Sequence, residues 1–117
     1  MNIELLRDYC LSKKGVEETT PFGDDVLVYK VMGKMFALTS MEDPSSVNLK
    51  CDPNYAIDLR EQFSEIQPGY HMSKKHWNTI SYDGAVDDTL ILKLIDHSYD
   101  LVVCGLSKAL RKELENL

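Results

Sequence analysis

Val26-Leu27-Val28-Tyr29-Lys30-Val31-Met32-Gly33-Lys34-Met35-Phe36-Ala37-Leu38-Thr39 is the stretch on which the fold turns. Val26, Val28 and Val31 belong to a β-branched run, Met32-Gly33 supplies a tight turn, and Met35 to Thr39 returns. The segment therefore reads as a β-hairpin, with Lys30 and Lys34 flanking its turn. Downstream, Glu42-Asp43-Pro44-Ser45 is a second turn leading into a third short strand, Ser46 to Cys51. Strands joined by turns this short pair antiparallel.

Helices flank this core. Upstream, Asn2 to Lys14 carries Ile3, Leu6 and Cys10, with Leu5 and Tyr9, at helical spacing. Asn2 is the expected N-cap; Lys13 and Lys14 suit the negative end, and Gly15 is the expected stop. Thr19 to Asp24 reads as a turn-rich loop. After the third strand, Asp52-Pro53 is a cap followed by a first-turn proline, opening a helix that covers Tyr55, Ile57, Leu59 and Phe63. Pro68-Gly69 breaks the pattern, and Ser73 is placed to cap a single helical turn. Asn78 to Tyr82 alternates as a strand and closes at Asp83-Gly84. Asp87 then caps the strongest helix, whose stripe is Leu90, Ile91, Leu94, Ile95, Leu101 and Val102, with Gly105 ending it. Ser107 caps a last, more polar helix to Leu117. The whole is one α+β domain over residues 1–117, in the order α-β-β-β-α-β-α-α, with helices packed on an antiparallel sheet.

Composition narrows the function. With 44% apolar and 27% charged residues the chain has the balance of a water-soluble globule. No apolar run is long enough to cross a bilayer, and the N-terminus lacks a basic segment followed by an apolar one, so the expected location is cytoplasmic, with no membrane partner. The three cysteines, Cys10, Cys51 and Cys104, are an odd number and widely spaced, which points to reduced, mostly buried thiols. No metal or other cofactor is expected. Nor is a catalytic residue: there is no GxSxG, Gly33-Lys34 is a hairpin turn rather than a phosphate loop, and Asp87-Asp88 suits a helix N-terminus. The net charge of −6 opposes binding to nucleic acid over the whole surface. The acids are concentrated toward the two ends of the chain, however. Residues 25–82 hold seven acids against six bases and are the place for a local positive patch.

Within that middle, Gly69 to Trp77 stands out. It gathers Tyr70, His71, Lys74, Lys75, His76 and Trp77 in a stretch too polar for a core. Lysines contact phosphates, and flat rings stack on bases or plug a groove. Lys30, Lys34, Lys50 and Arg60 extend the same basic face. Against this, a tryptophan that opens a strand is commonly a half-buried anchor for the sheet.

These residues resemble the MmcQ/YjbR family of small bacterial proteins. The resemblance rests on Pro21-Phe22-Gly23, Tyr29-Lys30-Val31 with Gly33-Lys34 and Phe36-Ala37-Leu38, and Asn48-Leu49-Lys50-Cys51-Asp52-Pro53. It continues through Leu59-Arg60, Gly69 to Thr79, and Ser98-Tyr99 with Leu101-Val102, nearly the length of the chain. Ser73 stands where the family often has Asn. The resemblance implies a fold likened to the frataxin/CyaY type and a "double wing" DNA-binding arrangement. Its implied function is a DNA-binding or DNA-associated regulatory protein, without enzymatic activity, whose partner is double-stranded DNA. The alternative reading is a module that binds a protein or a small anionic ligand through the same basic–aromatic face.

Overall fold

The computed structural model describes residues 1–69, 72–82, 84 and 86–117. Its elements run α1 (Ile3–Leu11), β1 (Val16–Thr19), β2 (Val26–Val31), β3 (Lys34–Ser40), β4 (Ser46–Lys50), α2 (Pro53–Gln62), β5 (Ile66–Pro68), β6 (Trp77–Ser81), α3 (Asp88–Cys104) and α4 (Lys108–Glu115). All neighbouring strands are antiparallel, in the order β1-β2-β3-β4-β6-β5. The α+β class and the antiparallel sheet are as the sequence indicates. The expected order α-β-β-β-α-β-α-α gains two short edge strands, β1 and β5, which have too few residues to show a periodic pattern.

The β2–β3 turn has φ 50° at Met32 and φ 84° at Gly33, positive at both central residues as the right-handed twist of a two-residue hairpin requires. Tyr29 pairs with Ala37 and Lys30 with Met35, so Phe36 is one residue in excess on β3. This bulge turns both Phe36 and Ala37 into the helix-covered core, where each is fully buried.

α1, α2 and α3 keep their expected N-caps, Asn2, Asp52 and Asp87, each accepting a hydrogen bond from a backbone N–H of the first turn. α1 ends at Leu11 with Ser12 as its C-cap, earlier than Lys14. Gly15, at φ 74°, is the pivot into β1 rather than the helix stop, and Lys13 reaches Asp96 of α3 at 2.5 Å. α2 buries Ala56 and Leu59, whereas Tyr55 and Ile57 face outward. α3 is the central helix. It lays Ile91, Leu94, Ile95, Ser98 and Val102 across β2, β3 and β4. Each large apolar side chain sealed there contributes about 1.5–3 kcal/mol.

One polar residue sits in that stripe. β3 and β4 pair only at Ala37–Leu49 and Leu38–Asn48. Where the ladder opens, the fully buried Ser98 hydroxyl fills the gap, accepting from the Lys50 N–H at 2.9 Å and donating to the Phe36 carbonyl at 2.6 Å. The next two amides of the chain are satisfied in turn: Cys51 N–H donates to the His76 carbonyl, and Asp52 N–H to His97 Nε2 at 3.1 Å. Three successive backbone donors thereby lock the end of β4 to α3 and to the start of β6.

Candidate functional site

The helices cover one side of the sheet and leave the other open. On the open side the strand registers place side chains in three rows. Glu17, Lys30 and Met35 form one row with Lys50 and Trp77. Thr19, Val28, Leu38, Asn48, Thr79 and Gln67 form the next, and the third holds Val26, Ser40, Ser46 and Ser81. Val28, Leu38 and Trp77 make a small second core on this side, with Val26, Met35 and Met72 packed against it.

Trp77 is only 8% exposed, so it anchors this second core and presents little ring face to a ligand. The approach is tight: a Cβ on Gly69 would lie 2.7 Å from that of Trp77, which explains the glycine there. Residues 73–76 form the expected single turn, closed by the Trp77 N–H donating to the Ser73 carbonyl. Lys74, Lys75 and His76 are exposed along it. Arg60 is committed to the chain itself. Its Nε donates to Asn78 Oδ1 at 2.7 Å, and Nη2 donates to the carbonyls of Lys74 and Trp77, so it holds the turn against α2. Tyr70 and His71 lie outside the described residues.

The structure brings Lys34, Lys50 and Trp77 together. They line a depression of about 280 Å³ at the end of the sheet, beside Leu101 and Val102 of α3. Lys30 stands in the same row, with Glu17 directly across from it on β1. The opposite end of the open side has the other sign: Asp24, Asp25, Glu42 and Asp43 are all exposed on the loops there. The face is thus dipolar, lysines at one end and carboxylates at the other.

Two of the three thiols and Tyr9 are held in their protonated forms. Burial pushes the Cys10 thiol up to about 12, a rise that Lys13 only partly offsets, and burial with the Asp52 charge pushes Cys51 up to about 11. Cys104 is exposed, contrary to the burial expected from its apolar neighbours, because it falls on the outer side of the last turn of α3. Tyr9 is raised to about 12, first by its hydrogen bond to Asp96 and then by burial. Among the described residues no three His, Cys, Asp or Glu side chains converge as a metal site, and no helix is long and apolar enough to cross a membrane.

Sequence reasoning missed His97, Ser98, and the Asn48–Thr79 pair on the open side, where the Thr79 hydroxyl donates to Asn48 Oδ1. Ser98 had a readable signal, a lone hydroxyl in an apolar stripe. The pairing of Asn48 with Thr79 depends on register, which no local pattern carries.

A helix layer on one side of an antiparallel sheet, with an open face of mixed polarity, defines a class of small α+β domains. Within it, this chain belongs to the YjbR family, whose family model matches residues 11–101. It is 36% identical to the protein YjbR of Escherichia coli K12 over 118 residues, covering all of both chains. It is 38% identical to YbdF of Escherichia coli O157:H7 over 100 residues, 85% of this chain and 82% of that one. In three dimensions it is similar to the crystal structure of Deinococcus radiodurans DR2400, a DUF419 domain, with a TM-score of 0.89 and 42% identity over 97% of this chain and 87% of that one.

Proposed function

We propose that this chain is a non-enzymatic binding module that holds an anionic group at the lysine end of its sheet. The observation that carries the reading is the convergence of Lys34 and Lys50 on one depression walled by Trp77. An anion held there meets two ammonium groups against an apolar wall that limits competition from water. The burial of Cys10 and Cys51, which holds both as thiols, supports binding rather than covalent chemistry at those two groups.

Two sources of the anion share this chemistry. A phosphate of duplex DNA is the first. Lys30, Lys50 and the turn with Lys74, Lys75 and His76 span three strand spacings, about 14 Å, enough to follow neighbouring phosphates. A carboxylate or phosphate of a small molecule is the second, favoured by the concavity of the depression. With a net charge of −6, either contact is local and sensitive to salt.

The test is fluorescence anisotropy with a labelled short duplex at low salt, run with and without citrate as competitor. Lys34→Ala/Lys50→Ala weakens binding of either anion about tenfold, on two surface charge contacts of roughly 0.7 kcal/mol each. Lys74→Ala/Lys75→Ala weakens duplex binding alone and lowers its salt slope by about one for each phosphate that is no longer neutralised. No complex at micromolar protein eliminates the DNA source. Citrate binding, read by calorimetry, that ignores Lys34→Ala/Lys50→Ala eliminates the site.

A further inference from the structure

The opposite end of the open side is a site of different chemistry. A depression of about 490 Å³ is walled there by Phe22, Val26, Leu38 and Met72. A second, of about 460 Å³, adjoins it and is lined by Asp43, Gln67 and Thr79. Ser40 and Asn48 line both, so the two halves form one trough, apolar at one end and polar at the other. Pockets that enclose small molecules span roughly 300–1,000 Å³, and each half falls in that range.

The polar half is selective in sign. Among the described residues, Asp43 is the one charged residue lining either half. Asp24 and Asp25 stand exposed on the loop that carries Phe22, and Glu42 beside Asp43. The Met41 N–H donates to the Asp25 carbonyl, tying the two acidic loops into one rim. Two side chains of the polar half, Asp43 and Gln67, agree with the charge. Asp43 accepts the Ser45 hydroxyl on Oδ1, leaving Oδ2 as an acceptor. Gln67 donates its Nε2 to the Ser64 carbonyl, which leaves its amide oxygen as an acceptor. A ligand group bearing only donors is matched at Asp43 and Gln67, and an anion placed there meets a carboxylate and a carbonyl oxygen.

The apolar half calls for a sizeable body. Phe22 is 62% exposed at the mouth, an aromatic side chain left in water beside Val26, Leu38 and Met72. Covering it removes apolar surface from water and places a ring face against the ligand.

We infer that this trough binds a small organic cation, with an aromatic or aliphatic body in the apolar half and an ammonium or guanidinium group against Asp43 and Gln67. The site is independent of the lysine end, from which it differs in position, residues and sign.

Two probes with one body and opposite charge test it: 3-phenylpropylamine, cationic at neutral pH, and 3-phenylpropionate. Each is titrated into isotope-labelled protein while the amide resonances are followed by NMR. The amine produces saturable shifts at Val26, Leu38, Asn48 and Thr79 and binds about threefold to fivefold more tightly than the propionate, the preference an exposed charge pair supplies. Asp43→Asn, a change at an exposed loop position that leaves the core untouched, removes most of that preference. Lys50→Ala leaves the affinity for the amine unchanged, so failure here is distinct from failure at the lysine end. The inference is overturned if the amine shifts nothing in the trough at millimolar concentration, if the propionate binds as well or better, or if Asp43→Asn leaves the preference intact.

Discussion

Replacing Ser98 by alanine tests how α3 is keyed to the sheet. The hydroxyl is fully buried and makes two hydrogen bonds, one from the Lys50 N–H at 2.9 Å and one to the Phe36 carbonyl at 2.6 Å. Alanine leaves a backbone donor and a backbone acceptor facing each other across a gap with no partner. A buried group stranded in this way costs about 1–3 kcal/mol, so the pair amounts to about 2–6 kcal/mol. For a domain of this size that lowers Tm by roughly 10–20 °C. Urea unfolding followed through Trp77, the single tryptophan, gives the free energy directly. The midpoint falls while the slope m is unchanged, because the surface exposed on unfolding is the same. A loss below about 0.5 kcal/mol would refute the reasoning, since the strands would then have closed the gap without the hydroxyl. His97→Leu is the comparison. It removes the acceptor of the Asp52 N–H at a half-buried position where water can substitute, and it destabilises by about 1 kcal/mol or less.

Three further outcomes follow from the packing. Thiol titration of the native protein counts one reactive group, Cys104, and titration in guanidinium counts three, because Cys10 and Cys51 are buried and held as thiols. At Asp96, burial raises the carboxyl, but hydrogen bonds from Lys13 and Tyr9 outweigh it and leave the folded value below the ordinary 3.8. Its contribution to stability is therefore present above pH 3.8 and lost as the pH falls through the lower folded value, so Asp96→Asn flattens the acid limb of a Tm-against-pH curve; an unchanged limb contradicts this. Arg60→Lys keeps the charge but loses the forked geometry that reaches Asn78, Lys74 and Trp77 at once, and it destabilises by about 1–2 kcal/mol in thermal unfolding.

Much of the fold was legible because its signals are local. The Met32-Gly33 turn fixes the hairpin, and Asn2, Asp52, Asp87 and Ser107 mark their helices by the hydrogen bonds each accepts. What escaped was set by distant partners. β1 and β5 are strands because β2 and β6 offer them an edge, and Val16–Thr19 alone carries no period. Lys34 and Lys50 were legible as basic residues, but only the register shows that they share a depression with Trp77. The reach of Arg60 into the turn at residues 74–77 depends on how α2 lies against β6, which spacing does not encode. The acidic trough joins residues from three loops and five strands, so no contiguous stretch announces it.

The unpaired Phe36 also bears on how the chain tolerates changes of length. Side chains alternate along a strand, and the extra residue resets that alternation midway through β3. Removing one residue between Met35 and Leu38 would restore the plain alternation and turn half the strand over, placing Lys34 and Met35 on the wrong sides. Adding one would do the same in the other direction. A few residues later, the loop at 41–44 is exposed and absorbs such changes without moving a strand. Two neighbouring segments of similar length therefore differ sharply: one sets the phase of the whole sheet, and the other is free to lengthen or shorten.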